Sequence, residues 1–355
     1  MAANAIVQSD EQGGGAAGGG RGSGTRQGFL RRAFKVRETG VFLALLILFV
    51  FFTISNKYFF GVTNLLNVVR QVSLLGIIAM GMTMVITTAE IDLSVGAVYG
   101  LASTIVGMMM TKGGLPIWLS IGLGLVVTLG IGLFNGVLVT YGRIPALIVT
   151  LGMMNVARGA ALVLSQAQVI GINYRTIKDP AVNDFLYIGQ GKLFDIIPML
   201  AIFLFAVTLA SYLIFNRTIF GFHMRAVGGN PVAARASGLN SHRVKIVAFA
   251  ILGLLCGVAG ILNLSFLGNV QGTVGRGLEL DVIAATIIGG TSMSGGSGTI
   301  IGTIIGVLIM GVLQRDHAHG DQPVLAGDPD RCRRRRRCRR GRVDLAKARL
   351  RRIQR

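Results

Sequence analysis

Long apolar runs constrain this chain more than any other feature of its sequence. The hydrocarbon core of a bilayer takes about 20 consecutive apolar residues per helix, so each such run is a candidate span. Of the 355 residues 52% are hydrophobic and only 14% are charged, which is too apolar for one soluble core. The runs lie near residues 41–55, 71–88, 93–110, 115–140, 145–168, 194–215, 246–267 and 281–313. We therefore expect an all-α, polytopic membrane protein with about 8–10 spans.

The last run, 281–313, is about a dozen residues longer than one helix needs. A Gly- and Ser-rich stretch at 289–298 interrupts it. This pattern predicts a broken or re-entrant helix, and loose backbone at membrane depth is tolerated where it lines a cavity. A flexible turn between two ordinary helices is the alternative, because 282–288 is short for a full span. The stretch begins with the candidate pathway residues Gly289, Gly290, Thr291 and Ser292.

Seven ionisable or amide side chains lie within or beside the apolar runs. They are Glu90, Asp92, Asn135, Asn155, Arg158, Glu279 and Asp281. Charges at membrane depth are costly, so they should face a cavity, a helix end or a partner, and we regard all seven as candidate pathway residues. Two plainer interpretations remain open: Asp92 as the N-cap of the next helix, and hydrogen bonds between helices for the two amides.

A polar, basic segment at 217–245 separates two of the runs, and such loops mark the cytoplasmic side. Residues 1–37 are Gly-rich and basic, which predicts a disordered cytoplasmic leader, and six spans between the two segments satisfy this topology. Within the basic segment, Asn230, Pro231 and Gly238 are placed to cap, start and end a short helix at 231–236. Such a helix suits docking to a partner, although a plain solvated connector would show the same charge.

One span, 115–140, is rich in glycine. Gly124, Gly130, Gly132 and Gly136 predict close helix packing there, because small residues let helices approach each other in lipid.

We find no catalytic motif in the sequence. It contains no G-x-x-x-x-G-K-[ST] phosphate loop, H-E-x-x-H or G-x-S-x-G pattern, so we expect a protein that is not an enzyme and holds no cofactor. If ATP drives its function, another subunit must bind the nucleotide. Cys256, Cys332 and Cys338 form neither a disulfide framework nor a C-x-x-C pair, so we expect no metal site either.

Four blocks, in order and at consistent spacing, resemble the permease subunits of ribose-type ABC sugar importers. They are AEIDLSVGAVYGLAS (89–103), PALIVTLGMMNVARGAAL (145–162), FGFHMRAVGGNPVAARASGLN (220–240) and GLELDVIAATIIGGTSMSGGSGTIIGTIIG (277–306). The resemblance covers residues 41–314 and implies a permease domain at 38–314 in the inner membrane. It also implies a permease homodimer, a cytoplasmic ATP-binding subunit, an extracytoplasmic sugar-binding protein, and a pentose or related polyol as substrate.

The block at 220–240 is similar to the segment that contacts the ATPase in that family. The resemblance therefore implies ATPase coupling by Arg225, Gly228, Asn230, Ala233, Ala234, Arg235 and Gly238. The alternative function is a secondary transporter or channel, in which Glu90, Asp92 and Arg158 would relay ions or protons.

The resemblance ends at Gln314, where one more apolar helix is expected and an Arg-rich tail stands instead. Residues 315–355 hold 15 Lys or Arg and 5 Asp or Glu. Their net charge of +10 is half of the +20 carried by the whole chain. Our hypothesis is a reading-frame shift, since Ala and Val codons of GC-rich DNA become Arg codons off-frame. The rival interpretation is a genuine polybasic tail for anionic lipid or nucleic acid; we expect the bilayer and no nucleic acid as partner.

Overall fold

The computed structural model describes residues 37–55, 59–172, 177 and 179–319, with the side chains of 37–39, 63 and 314–319 left out. The predicted leader and most of the basic tail lie outside these residues. The helices within the described part are α1 (Arg37–Ser55), α2 (Val62–Thr87), α3 (Val95–Thr111), α4 (Ile117–Thr140), α5 (Ala146–Ser165), α6 (Val182–Gln190), α7 (Met199–Arg217), α8 (Ile219–Gly229), α9 (Pro231–Ala236), α10 (Ser241–Leu267), α11 (Leu278–Ile288) and α12 (Ile300–His319).

Nine of the described helices correspond to the eight apolar runs, because the last run forms two helices. Five are long and apolar enough to cross a bilayer: Asn64–Thr87, Ile117–Thr140, Ala146–Ser165, Met199–Arg217 and Ser241–Leu267. Three apolar helices are shorter: Gly40–Ser55, Val95–Thr111 and Ile300–Leu313. The outward surface is apolar too, with Val126, Ile148 and Phe205 more than 60% exposed. Apolar side chains facing outward suit lipid as the surrounding solvent, so the chain is a polytopic helical membrane protein.

Helix α10 lies at the centre of the bundle and packs along α4, α2 and α3. Glycines make the close approach to α4 possible. A Cβ at Gly132 would collide with the Phe249 carbonyl, and one at Gly136 would lie 2.8 Å from the Ile246 Cα. Gly124 likewise packs against a neighbouring helix, whereas no atom of the described residues lies within 4 Å of a Cβ placed at Gly130. The packing prediction is therefore confirmed for three glycines and wrong for Gly130, which faces outward from α4.

Two short antiparallel strand pairs lie at one end of the bundle, together with α6. Strand β1 (Ile170–Gly171) pairs with β4 (Asn269–Val270), and β2 (Lys192–Leu193) pairs with β3 (Ile197–Pro198). The all-α expectation did not include these pairs, because two-residue strands are too short to show an alternating pattern. We call this end of the bundle the strand face, and the opposite end, which carries α8 and α9, the loop face.

The last long run folds as two helices with an irregular segment, 289–299, between them. Helix α11 has only 11 residues, so it is about 16 Å long and reaches only half-way through a bilayer. Helix α12 returns along it so closely that a Cβ at Gly302 or Gly306 would collide with the carbonyl of Gly289 or Ala285. The prediction of a broken helix is thus confirmed, and α11 is not an ordinary span.

A second irregular segment, 271–277, precedes α11 and was not predicted. It follows α10 and β4 and runs back along α3 towards the interior of the bundle. The contacts are Gly107 with Val270, Gly100 with Val274 and Gly96 with Gly275. Gly275 and Gly277 adopt φ of 80° and 84°, which L-residues with a side chain rarely reach. Non-helical backbone is therefore placed at membrane depth beside α3, where it can line a cavity.

Candidate functional site

A cavity of about 550 Å³ lies between α2, α3, α10 and the segment that leads into α11. It occupies the half of the bundle nearer the strand face, beside the first turns of α2 and the last turns of α10. The polar and aromatic side chains that line it are Asn67, Gln71, Tyr99, Asn263, Phe266, Arg276 and Asp281. The volume falls within the range of about 300–1,000 Å³ that is usual for small-molecule sites.

Two of the sequence-predicted residues, Arg158 and Glu279, hold the irregular segment in place beside this cavity. Arg158 Nη1 donates to the carbonyl of Val274 over 2.6 Å, and the guanidinium is attracted by the Glu279 carboxylate. Glu279 Oε1 accepts from the backbone N–H of Gly277 at 3.2 Å. Of the predicted pathway residues, Asp281 lines the cavity directly, whereas Arg158 and Glu279 position its wall.

Asp92 and Asn135 meet at a buried cluster nearer the loop face. Asp92 Oδ1 accepts from the backbone N–H and the hydroxyl of Ser94 at 2.7 and 2.6 Å. Asn135 Nδ2 donates to Ser94 Oγ at 3.2 Å and to Asp92 Oδ2 at 3.4 Å. The N-cap of α3 is Ser94, so the interpretation of Asp92 as that cap is wrong. The cluster joins the start of α3 to α4, and the hydrogen bond between helices predicted for Asn135 is confirmed.

Asn155 takes no part in either group. It is exposed on α5, and its Nδ2 donates to the Leu151 carbonyl of its own helix over 3.0 Å. The predicted bond between helices is therefore wrong for Asn155, because its side chain points away from the described helices that pack on α5.

Glu90 forms an ion pair with Lys245 in the first turns of α10. Glu90 also lines a second, smaller cavity of about 410 Å³ at the loop face. Arg143, Arg235 and His242 line this cavity together with Glu90. The lining is rich in basic groups, so this surface suits an acidic side chain of a partner.

The Gly-rich segment 289–299 lies against the loop face rather than in the larger cavity. Gly296 donates its backbone N–H to the Thr87 carbonyl over 2.9 Å, at the end of α2. A Cβ at Gly228 of α8 would collide with that same carbonyl and lie 2.7 Å from the Gly296 nitrogen. The segment therefore packs closely between α2 and α8.

The four predicted pathway residues of this segment occupy its first turn. Gly290 adopts φ of 92°, Ser292 N–H donates to the Ser297 carbonyl at 2.9 Å, and Gly289 packs on α12. The Thr291 hydroxyl is buried without a hydrogen-bond partner among the described residues. These four residues begin the irregular segment 289–299 that connects α11 to α12, and we call this whole segment the hinge.

The short helix α9 has the bounds that the sequence predicts. Asn230 Oδ1 accepts from the N–H groups of Val232 and Ala233 at 3.1 and 2.9 Å, which confirms the N-cap. Gly238 follows the helix with φ of 82°, and the N–H groups of Gly238 and Leu239 close a Schellman motif. The sequence does not predict α8, because residues 219–229 lie within the polar, basic segment that the charge pattern marks as a loop.

The seven predicted coupling residues divide into exposed and inward-facing ones. Asn230, Ala233, Arg235 and Gly238 are exposed, whereas Gly228 and Ala234 are buried. Arg225 is half-buried, with its guanidinium 5.0 Å from the centre of the Phe215 ring. Arg235 is therefore the exposed cation of α9, and Arg225 serves packing as well as charge.

Three amides of the larger cavity, Asn67, Gln71 and Asn263, were missed by sequence reasoning. Asn263 lies within the run 246–267, which is the same signal that singled out Asn135 and Asn155, whereas Gln71 begins the run 71–88 and Asn67 precedes it. Their convergence depends on how α2 and α10 pack, and the sequence pattern alone did not show it.

A polytopic bundle with a broken helix beside a polar cavity defines the class of a membrane permease. The chain belongs to the family described as branched-chain amino acid transport system / permease component, which matches residues 64–319. The match ends before most of the basic tail.

Curated relatives agree with this assignment. The chain is 41% identical to the ribose import permease protein RbsC of Bacillus subtilis (strain 168), over 78% of this chain and 84% of the relative. It is 37% identical to RbsC of Escherichia coli (strain K12), over 76% of this chain and 83% of the relative. It is also 36% identical to the autoinducer 2 import system permease protein LsrC of Yersinia enterocolitica, over 77% and 73%. No solved structure gives a significant match. The resemblance to permeases of sugar importers is thereby confirmed.

Proposed function

We propose that this chain carries a sugar, a pentose or related polyol, inward as the membrane-spanning subunit of an ABC importer. ATP is hydrolysed by a separate cytoplasmic subunit, and an extracytoplasmic protein delivers the sugar. Two copies of the permease form the translocating unit. The ribose importers among the relatives support the substrate class, and the autoinducer 2 importer indicates that similar permeases serve more than one substrate.

The observation that carries this proposal is the contact between α8 and the hinge of the broken helix. Gly228 lies against Thr87 and Gly296 with no room for a Cβ, so a displacement of α8 must move the hinge. The hinge leads into α11, whose first turns line the larger cavity through Asp281. A force applied at the loop face therefore reaches the cavity through packed backbone.

Helix α9 provides the surface at which the ATP-binding subunit docks. It is capped at both ends, which keeps a six-residue helix ordered without a partner. Its Val232 and Arg235 side chains are exposed, and Arg235 also borders the basic cavity at the loop face. An apolar contact flanked by a cation suits an acidic, partly apolar groove on the partner.

The loop face is cytoplasmic in this proposal. Its segment 217–245 holds Arg217, Arg225, Arg235, Arg243 and Lys245, and basic loops favour the cytoplasmic side. Six apolar helices precede it, namely α1 to α5 and α7, so the N-terminus lies on the same side.

Secondary transport draws less support from the described side chains. Glu90 forms an ion pair with Lys245, and Asp92 accepts hydrogen bonds from Ser94 and Asn135. Arg158 donates to the Val274 carbonyl. A proton or ion relay needs groups that exchange partners during transport, and these groups are engaged in holding the bundle together.

Uptake of radiolabelled D-ribose in cells tests the proposal. Cells that express this chain with its ATP-binding and sugar-binding partners should accumulate D-ribose, and a catalytically dead ATP-binding subunit should abolish accumulation. A protonophore applied at constant cellular ATP should leave it intact. Accumulation that stops with the protonophore and persists with the dead subunit would instead show secondary transport.

A further inference from the structure

The larger cavity contains a buried amide group whose hydrogen-bonding capacity is not used within the described protein. Asn263 lies near the end of α10 and is only 5% exposed. Its Nδ2 has no hydrogen-bond partner among the described residues, although it lines the cavity. Leaving a buried N–H₂ group without a partner is costly, so such a group points to a partner that enters the cavity.

A second amide is oriented by a neighbour. Arg70 Nη1 donates to Asn67 Oδ1 over 3.2 Å, one turn along α2. Because the carbonyl end of Asn67 accepts this bond, the group that Asn67 can still use as a donor is its N–H₂ end. Asn67 and Asn263 therefore offer hydrogen-bond donors from two different helices to one cavity. A hydroxyl oxygen can accept hydrogen bonds from these donors.

The rest of the lining suits a neutral, polyhydroxylated molecule rather than an ion. Arg276 and Asp281 contribute one charge of each sign, and no other lining residue is charged, so the cavity has no net formal charge. The guanidinium of Arg276 can donate to neighbouring hydroxyl groups. Tyr99 and Phe266 add ring surfaces for the C–H faces of such a molecule.

We propose that this cavity is a sugar-binding subsite and that Asn263 and Asn67 bind hydroxyl groups of the substrate. That the ligand is a sugar rests on the proposed function. The subsite lies nearer the strand face, where the sugar enters, and is separated from the hinge by α11. The break at 271–277 shapes it, because the non-helical backbone around Gly275 supplies a wall that a continuous helix would fill.

Protection of an introduced thiol tests occupancy without ATP or any partner. Gln71 lines the cavity and is exposed, so Gln71→Cys should react with a small methanethiosulfonate reagent. The full chain carries Cys332→Ser and Cys338→Ser in this assay, and Cys256 is buried. D-ribose should slow the labelling at least threefold, whereas L-leucine should not.

Asn269→Cys is the matched control, since Asn269 lies on the strand face outside the cavity lining and is exposed. D-ribose should leave its labelling rate unchanged. If D-ribose fails to protect Gln71→Cys at any concentration up to 100 mM, or if L-leucine protects it instead, the sugar subsite is wrong.

A substitution of Asn263 tests the assigned contact. Asn263→Leu keeps the number and branching of the heavy atoms and removes the amide donor and acceptor, so protection of Gln71→Cys should require about tenfold more D-ribose. That factor corresponds to about 1.4 kcal/mol, the size of one hydrogen bond. Asn269→Leu, the same change outside the cavity, should leave the D-ribose concentration unaltered. Equal protection in both variants would exclude Asn263 as a sugar contact.

The two proposals fail in different ways. Protection by D-ribose together with uptake that needs no ATP would retain the subsite and overturn the ABC importer. ATP-driven uptake without protection of Gln71→Cys by D-ribose would retain the ABC importer and overturn the subsite. Should Asn263→Leu fail to fold, the comparison of Gln71→Cys with Asn269→Cys still decides whether sugar enters the cavity, because both retain Asn263.

Discussion

Glu90 and Lys245 form an ion pair that joins the segment after α2 to the beginning of α10, across a separation of 155 residues. The side chains are 17% and 20% exposed, so water screens the pair only in part. The pair fixes the central helix of the bundle to the loop face. It also borders the basic cavity beside α9, through Glu90.

Removing one partner of this pair should destabilise the protein. We expect Glu90→Gln or Lys245→Met to lower the free energy of unfolding by about 1–3 kcal/mol, because a charge-assisted hydrogen bond is lost and its partner stays partly buried. Thermal unfolding in detergent measures the change, and Lys112→Met, at an exposed lysine, is the control. The double variant should be no less stable than the less stable of the two single variants. Losses of stability that simply add would contradict the pairing.

Two glycines of α4 should respond oppositely to the same substitution. Gly132→Ala places a Cβ against the Phe249 carbonyl of α10, and we expect a loss of about 1–3 kcal/mol from overpacking. Gly130→Ala meets nothing within 4 Å and should be neutral or stabilise the helix by up to about 1 kcal/mol. The temperature at which half of the purified protein aggregates measures both. A similar shift for the two variants would contradict the described packing of α4 on α10.

Asp179 should make stability at the strand face depend on pH. Its two carboxylate oxygens accept from the backbone N–H groups of Ile117 and Ala181 at 3.0 and 2.9 Å, and these bonds lower its pKa. A group with a lowered folded pKa stabilises the protein above its unfolded pKa of about 3.9 and loses that effect as pH falls through the folded value.

Thermal unfolding of Asp179→Asn between pH 3 and pH 7 measures this dependence. The wild type should be more stable than the variant above about pH 5, and the difference should shrink below about pH 4. Asp195→Asn, at an exposed carboxylate of the β2–β3 turn, is the matched control. A difference that is equally large at pH 3 would mean that Asp179 acts without its charge.

Much of the loop face could be predicted from the sequence, because its signals are local. Asn230, Pro231 and Gly238 define α9 through backbone chemistry that spans a few residues. The hinge at 289–299 was likewise evident, since glycines cluster inside an apolar run.

The larger cavity could not be predicted, because it depends on contacts between distant segments. Its wall at 271–277 follows α3 only because Gly96 and Gly100 leave room for it. Asn67 and Asn263 converge through the packing of α2 on α10, and no local pattern shows which apolar faces meet. Asn155 is a further example. A polar residue within an apolar run does not show by itself whether it faces the bundle or the outside, and Asn155 faces outward.

Charge reversal on α9 should weaken binding of the ATP-binding subunit. We expect Arg235→Glu to lower the affinity about tenfold, because the exposed guanidinium would be replaced by a like charge facing an acidic groove. Arg225→Glu is less informative, since it also removes the contact with the Phe215 ring. Lys112→Glu, outside the loop face, is the matched control. Copurification of Arg235→Glu with the subunit at wild-type yield would show that α9 is not the docking surface.

Sugar uptake into proteoliposomes tests the central claim most directly. The purified chain and its ATP-binding subunit are reconstituted so that the loop face meets a defined nucleotide, with the sugar-binding protein and radiolabelled D-ribose on the other side and no ion gradient. The account predicts accumulation with ATP and none with a non-hydrolysable analogue. Accumulation that requires an imposed proton or sodium gradient and ignores ATP would contradict it.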